Sequence, residues 1–139
     1  MKTELREIPK KEYYTVYIAD DGKEFKSRYD CQEYEGYTLK KYPEVVRTAK
    51  KFYTFDEETS ATIYNIKSLE DWQYLESHDW DNSKIDGEFT TPGYYIAVYW
   101  DGGDYRDTYH IYKAEKYIKN LEEEFETYKK DFYKNISDI

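Results

Sequence analysis

A single cysteine, Cys31, in 139 residues excludes an intramolecular disulfide and fits a reducing compartment. Arginine is scarce too, with only Arg6, Arg28, Arg47 and Arg106 against a basic set that is otherwise lysine. Bidentate phosphate recognition depends on Arg, so direct binding of DNA or RNA is disfavoured. Two histidines, His78 and His110, are too few for a zinc site built on imidazoles. No apolar run approaches the roughly 20 residues that a membrane span needs. The opening Met1-Lys2-Thr3-Glu4-Leu5-Arg6 has charge but no apolar core, so a signal peptide is not expected and the chain reads as soluble and cytoplasmic. Leu, Ile, Val and Phe together make up under a fifth of the chain. At high net charge that level usually goes with disorder.

Tyrosine reverses that expectation. The chain has 19 of them, with a formal net charge of −9. Each aromatic ring can bury roughly 150–250 Å² while its polar end stays wet, so Tyr and Trp can supply the missing core area. A folded, acidic domain with an aromatic-rich surface follows. The 30 acids against 21 bases repel nucleic acid and anionic membrane and favour a basic protein partner.

Three stretches repeat a strand–turn–strand–helix plan. In the first, Tyr13 to Ala19 is β-branched and aromatic, Asp21-Gly22 makes a hairpin turn, and Lys23-Glu24-Phe25 returns. Ser27 with Asp30 predicts a capped helix that Gly36 ends, and a short helix is expected over Glu44 to Arg47. In the second, strands at Lys51–Phe55 and Ala61–Ile66 flank a turn at 56–60. Ser68 and Asp71 then cap a helix with Leu69, Trp72 and Leu75 on one face. In the third, Tyr94 to Trp100 is the strongest strand signal, Asp101-Gly102-Gly103-Asp104 is a hairpin turn, and Tyr105 to about Ile111 returns. A long helix over Lys113 to Lys134, about 33 Å in length, closes the chain.

These elements predict a single α+β domain over 1–139, with a mostly antiparallel sheet of about five or six strands and helices on one face. Residues 1–10 are a candidate disordered arm, and 79–93 read as a loop. In the long helix, Ile118, Leu121, Phe125, Tyr128 and Phe132 alternate spacings of three and four. That stripe either packs on the chain's own sheet or forms a homodimer seam.

Candidate chemistry is thin. Asp79, Asp81 and Ser83 copy the first half of a calcium loop, but Lys84 stands where glycine is required and Thr90 where a bidentate acid is required, so no metal is expected. Cys31 sits mid-helix between Tyr29 and Tyr34 and reads as a small buried hydrophobe. Gly102-Gly103 lies between two strands rather than between strand and helix, so it is a turn and not a phosphate loop. No cofactor and no catalytic residue is expected. Asp101, Asp104 and Asp107 gather around one hairpin tip beside Tyr95, Tyr99 and Tyr105, and these six are the expected partner-binding residues. Each tyrosine could instead be core. Imitation of a phosphate backbone would have to be local, because duplex DNA of about this domain's length carries roughly 20 charges.

The segment Tyr17-Ile18-Ala19-Asp20-Asp21-Gly22-Lys23-Glu24-Phe25, followed by Ser27, Cys31 and Tyr34-Glu35, resembles the opening of small phage-encoded accessory proteins. That group includes anti-defence factors: sponges that sequester nucleotide immune signals, and acidic anti-CRISPR inhibitors. The resemblance implies a non-enzymatic inhibitor in the host cytoplasm that binds a basic defence effector such as a nuclease, with a nucleotide sponge as the alternative. It transfers no functional residues, and the scarcity of Arg counts against the sponge, which must hold phosphates.

Overall fold

The computed structural model describes residues 1–9, 12–54, 59–81 and 83–139. The chain is α+β and divides into two compact units, Met1–Arg47 and Thr48–Ile139.

The first unit carries a three-stranded antiparallel sheet of β1 (Lys2–Glu7), β2 (Tyr13–Ile18) and β3 (Glu24–Phe25), in that order. Residues 2–7 are thus a strand and not a disordered arm, paired with β2 from Lys2 opposite Ile18 to Glu7 opposite Tyr13. The strand escapes sequence reading because charged side chains occupy both of its faces, as suits an exposed edge. Arg6 donates to Glu24 on β3 at 2.9 Å, tying the edge across the sheet.

Asp21-Gly22 makes the expected turn, with the Asp21 carboxylate accepting from Lys23 N–H at 3.1 Å. Ser27 caps α1 (Arg28–Glu33), accepting from Asp30 N–H at 3.3 Å. Gly36 does not end that helix. It lies inside a π-helical turn, Tyr34–Thr38, where an added Cβ would meet the Tyr42 ring at 2.2 Å. Gly36 is there because an aromatic ring lies against its backbone. The short helix α2 (Glu44–Arg47) forms as expected. Val16, Ala19, Cys31, Val45 and Val46 are buried, as is Glu35, which accepts from Lys41 Nζ at 2.8 Å.

In the second unit a five-stranded sheet runs in the order β4-β5-β7-β8-β6, from β4 (Lys50–Tyr53), β5 (Ser60–Ile66), β6 (Lys84–Asp86), β7 (Gly93–Trp100) and β8 (Thr108–Lys113). All pairs are antiparallel except β6 with β8. The end of the predicted first strand at Phe55 and most of the turn, 56–58, lie outside the described residues. Strand β6 falls within the segment read as a loop. Three residues, Lys-Ile-Asp, are too few for their alternation to mark a strand, which forms by parallel pairing with β8, with Lys84 N–H donating to the Asp107 carbonyl at 2.7 Å.

Helices cover both faces of this sheet rather than one. Along β7 the side chains alternate. Tyr95 meets Trp72 of α3 (Leu69–Ser77) at 5.7 Å between ring centres, and Tyr99 meets Tyr109 at 5.3 Å. Trp80 lies against Trp72 at 5.1 Å and Tyr64 at 5.7 Å. These edge-to-face contacts, with Ile66 and Leu75, form an aromatic core in which Tyr95, Trp80, Ile66 and Leu75 are almost wholly buried. Ser68 caps α3 through Asp71 N–H at 3.2 Å, Trp72 and Leu75 face inward, and Leu69 is left exposed.

The opposite face meets α4 (Ala114–Ser137) through Tyr117, whose ring lies 6.3 Å from Phe52 and 6.5 Å from Tyr112. The cover is partial, since no residue of α4 is buried. Ile118, Phe125, Tyr128 and Phe132 stay exposed, so the stripe does not serve as core for its own sheet. Among the described residues no helix is long and apolar enough to cross a membrane.

Candidate functional site

Of the six partner-binding residues expected from sequence, five fall around the connection between β7 and β8, whereas Tyr95 lies at the far end of the hairpin opposite Lys113, and the structure separates them into three groups. Tyr95 is core. Its hydroxyl accepts from Thr90 N–H at 3.2 Å and donates to the Thr91 carbonyl at 2.7 Å, so both its ring and its polar end are used inside the fold.

Tyr99 and Asp107 form a structural pair. The Tyr99 hydroxyl donates to Asp107 Oδ2 at 2.6 Å, and Asp107 Oδ1 accepts from Gly102 N–H at 3.1 Å. The hydrogen bond from Tyr99, then that from Gly102, holds the Asp107 carboxyl below the ordinary carboxylate range. The same bond to Asp107 pushes the Tyr99 phenol up to about 12.

Asp101, Asp104 and Tyr105 remain at the exposed tip. Sequence reading places the return strand at Tyr105, but it begins at Thr108, so the loop runs from Asp101 to Asp107. Asp107 accounts for the difference, because it closes the loop from inside and delays the ladder by three residues. Asp101 Oδ1 accepts from Gly103 N–H at 2.9 Å, and Tyr105 N–H donates to the Gly102 carbonyl at 2.9 Å. Gly102 is buried under this closure. A Cβ there would meet the Arg106 carbonyl at 2.5 Å and the Tyr105 carbonyl at 2.7 Å. With its backbone fixed in this way, the loop leaves the Tyr105 side chain 82% exposed, with exposed Asp101 and Asp104 nearby in the chain. Chemically the tip offers an amphipathic ring at low entropic cost and carboxylates that accept from Lys or Arg.

No family model, curated protein or solved structure matches this chain.

Two exposed aromatics outside the six expected residues, Tyr94 and Trp100, lie at the ends of β7. They share one parity and Tyr95 and Tyr99 the other, but buried Ile96 shares theirs, so their exposure follows from their places at the strand ends and not from alternation.

The remaining candidates have structural surroundings. Cys31 is fully buried, and burial, then the nearby Glu35 charge, pushes its thiol up. His78 stacks on Tyr74 at 3.9 Å, and His110 Nδ1 lies 2.8 Å from Asp86 across the parallel β6–β8 pair. In the calcium-like loop, Asp79 accepts from the Tyr64 hydroxyl at 3.1 Å. Burial, then the Asp79 charge, raises the Tyr64 phenol well above its usual range. Position 82 of that loop lies outside the described residues. Among the described residues no group of three or more His, Cys, Asp or Glu could hold a metal ion.

Proposed function

We propose that this chain acts by binding a protein rather than by bond-making chemistry. The reading is a phage anti-defence inhibitor, anti-CRISPR-like, that binds a basic, nucleic-acid-handling immune protein of its host. In it the exposed tip Asp101–Tyr105 enters a basic groove and occludes it. The observation that carries this reading is Tyr105, exposed between Asp104 and Arg106 on a loop whose backbone is held by Asp107 and Gly102. A preorganised tip loses little entropy on binding, and a Tyr ring that shares its loop with exposed Asp101 and Asp104 suits an anchor among cations. The net charge of −9 adds long-range attraction to a basic partner and repulsion of its nucleic acid.

Capture from bacterial lysate on the immobilised protein, followed by elution with duplex DNA, tests the reading. A basic nucleic-acid-binding protein that DNA displaces is the expected result. A captured protein that binds nucleic acid and this chain together, without competition, contradicts occlusion.

A further inference from the structure

We infer that two copies of this chain pair in parallel along α4, the occupant of its exposed apolar face being the same helix of a second copy. The inference is independent of the partner proposed above. Ile118, Phe125, Tyr128 and Phe132 are between 49% and 66% exposed, although they follow the alternating three-and-four spacing of a helix-pairing seam. Half of an aromatic side chain that can bury roughly 150–250 Å² leaves about 100 Å² for each of Phe125, Tyr128 and Phe132, and with Ile118, half-buried Leu121 and flanking Ile136 the seam offers about 500 Å² per copy. Counted over both copies, that reaches the roughly 1,000 Å² of a specific interface.

Charge and polarity at the seam select the direction. With Ile118 and Phe125 in the first core position and Leu121 and Tyr128 in the second, Glu124 and Lys129 fall on the two flanks. In a parallel pair each Glu124 faces Lys129 of the other copy, and no like charges meet at the flanks. Lys129 Nζ lies 3.5 Å from Glu126 of its own helix and 5.6 Å from the centre of the Phe125 ring, at the edge of the seam. An antiparallel pair centred on Phe125 and Tyr128 gains Glu122 against Lys129 but sets Glu124 against Asp131. Asn135 decides in the same sense. It continues the core spacing beyond Phe132, meets its own equivalent in the parallel pair, and would oppose apolar Ile118 in the antiparallel one. A polar residue buried against itself in a seam fixes register.

Analytical ultracentrifugation at about 100 μM tests the pairing, a concentration suited to an interface at the small end of the specific range. The wild type should sediment as a dimer. Phe125→Glu and Phe132→Glu should each give a monomer with an unchanged far-UV circular dichroism spectrum. A monomeric wild type, a dimer that survives both substitutions, or loss of folding in Phe125→Glu would each overturn the proposal, the last because it would make the stripe core. Direction is read by disulfide capture in a Cys31→Ala background, since disulfide geometry requires Cα atoms within about 7 Å. Asn135→Cys alone should form a covalent dimer under mild oxidation. Failure of that link, with capture only when Ile118→Cys and Asn135→Cys are mixed, would overturn the parallel arrangement.

Discussion

The Tyr99 hydroxyl donates a 2.6 Å hydrogen bond to Asp107, whose other oxygen accepts from Gly102 N–H at 3.1 Å. One carboxylate thereby fixes both the end of β7 and the closure of the loop that carries Tyr105. Tyr99→Phe should lower the melting temperature and flatten its pH dependence at both ends. Asp107 is held below its ordinary value, so its contribution is present above about pH 4 and lost as pH falls through the depressed folded value. Tyr99 is held above its ordinary value, so its contribution is present below about pH 10 and lost as pH rises to about 12. Melting scans from pH 3 to 11 check both arms. A Tyr99→Phe profile parallel to the wild type would contradict the pairing.

Gly36→Ala should destabilise the first unit by about 1–3 kcal/mol, because its Cβ would lie 2.2 Å from the Tyr42 ring. Adding Tyr42→Ala should cost less in the Gly36→Ala background than in the wild type, since the two side chains compete for one space. Urea unfolding of the single and double variants measures the coupling.

Tyrosine and tryptophan should divide sharply between core and surface. Trp72, packed against Trp80 and Tyr95 at 5.1 and 5.7 Å, should cost about 3–5 kcal/mol when replaced by Ala. Tyr105→Ala, at the exposed tip, should stay within about 0.5 kcal/mol of wild type in the same unfolding experiment.

Cys31 should resist alkylation in the native protein, because it has no exposed surface and burial holds its thiol protonated. Its reaction with iodoacetamide should follow global unfolding in urea, and Cys31→Ala should cost about 1 kcal/mol. Rapid modification of the folded chain would contradict this burial.

Much of the fold is legible where local rules act. Ser27 and Ser68 cap their helices, Asp21-Gly22 turns its hairpin, and β7 reads from its β-branched and aromatic run. The features that stay hidden depend on remote partners. The charged strand β1 exists through pairing with β2, the three residues of β6 through pairing with β8, and Gly36 through a ring six positions away. Within the expected site, parity along β7 already assigns Tyr95 and Tyr99 to one face, and helical spacing puts Trp72 on the apolar face of α3, but that these two faces meet is a remote contact that no local rule identifies. Asp107 reads as one acid among three at the hairpin tip. Its use as an internal bracket follows from the Tyr99 and Gly102 contacts, which exist only once the hairpin is closed.

The central claim, that the exposed acidic tip is the partner contact, is tested most directly by the affinity of one variant for the captured partner. Asp101→Lys, Asp104→Lys and Tyr105→Ala combined remove the Asp101–Gly103 bond but leave the Asp107 closure intact, so the variant should keep a wild-type circular dichroism spectrum. Its affinity, measured by titration calorimetry at about 0.1 M salt, should fall at least roughly hundredfold, because two charges reverse and a central aromatic anchor is lost. Affinity within about threefold of wild type, at equal folding, would contradict the account.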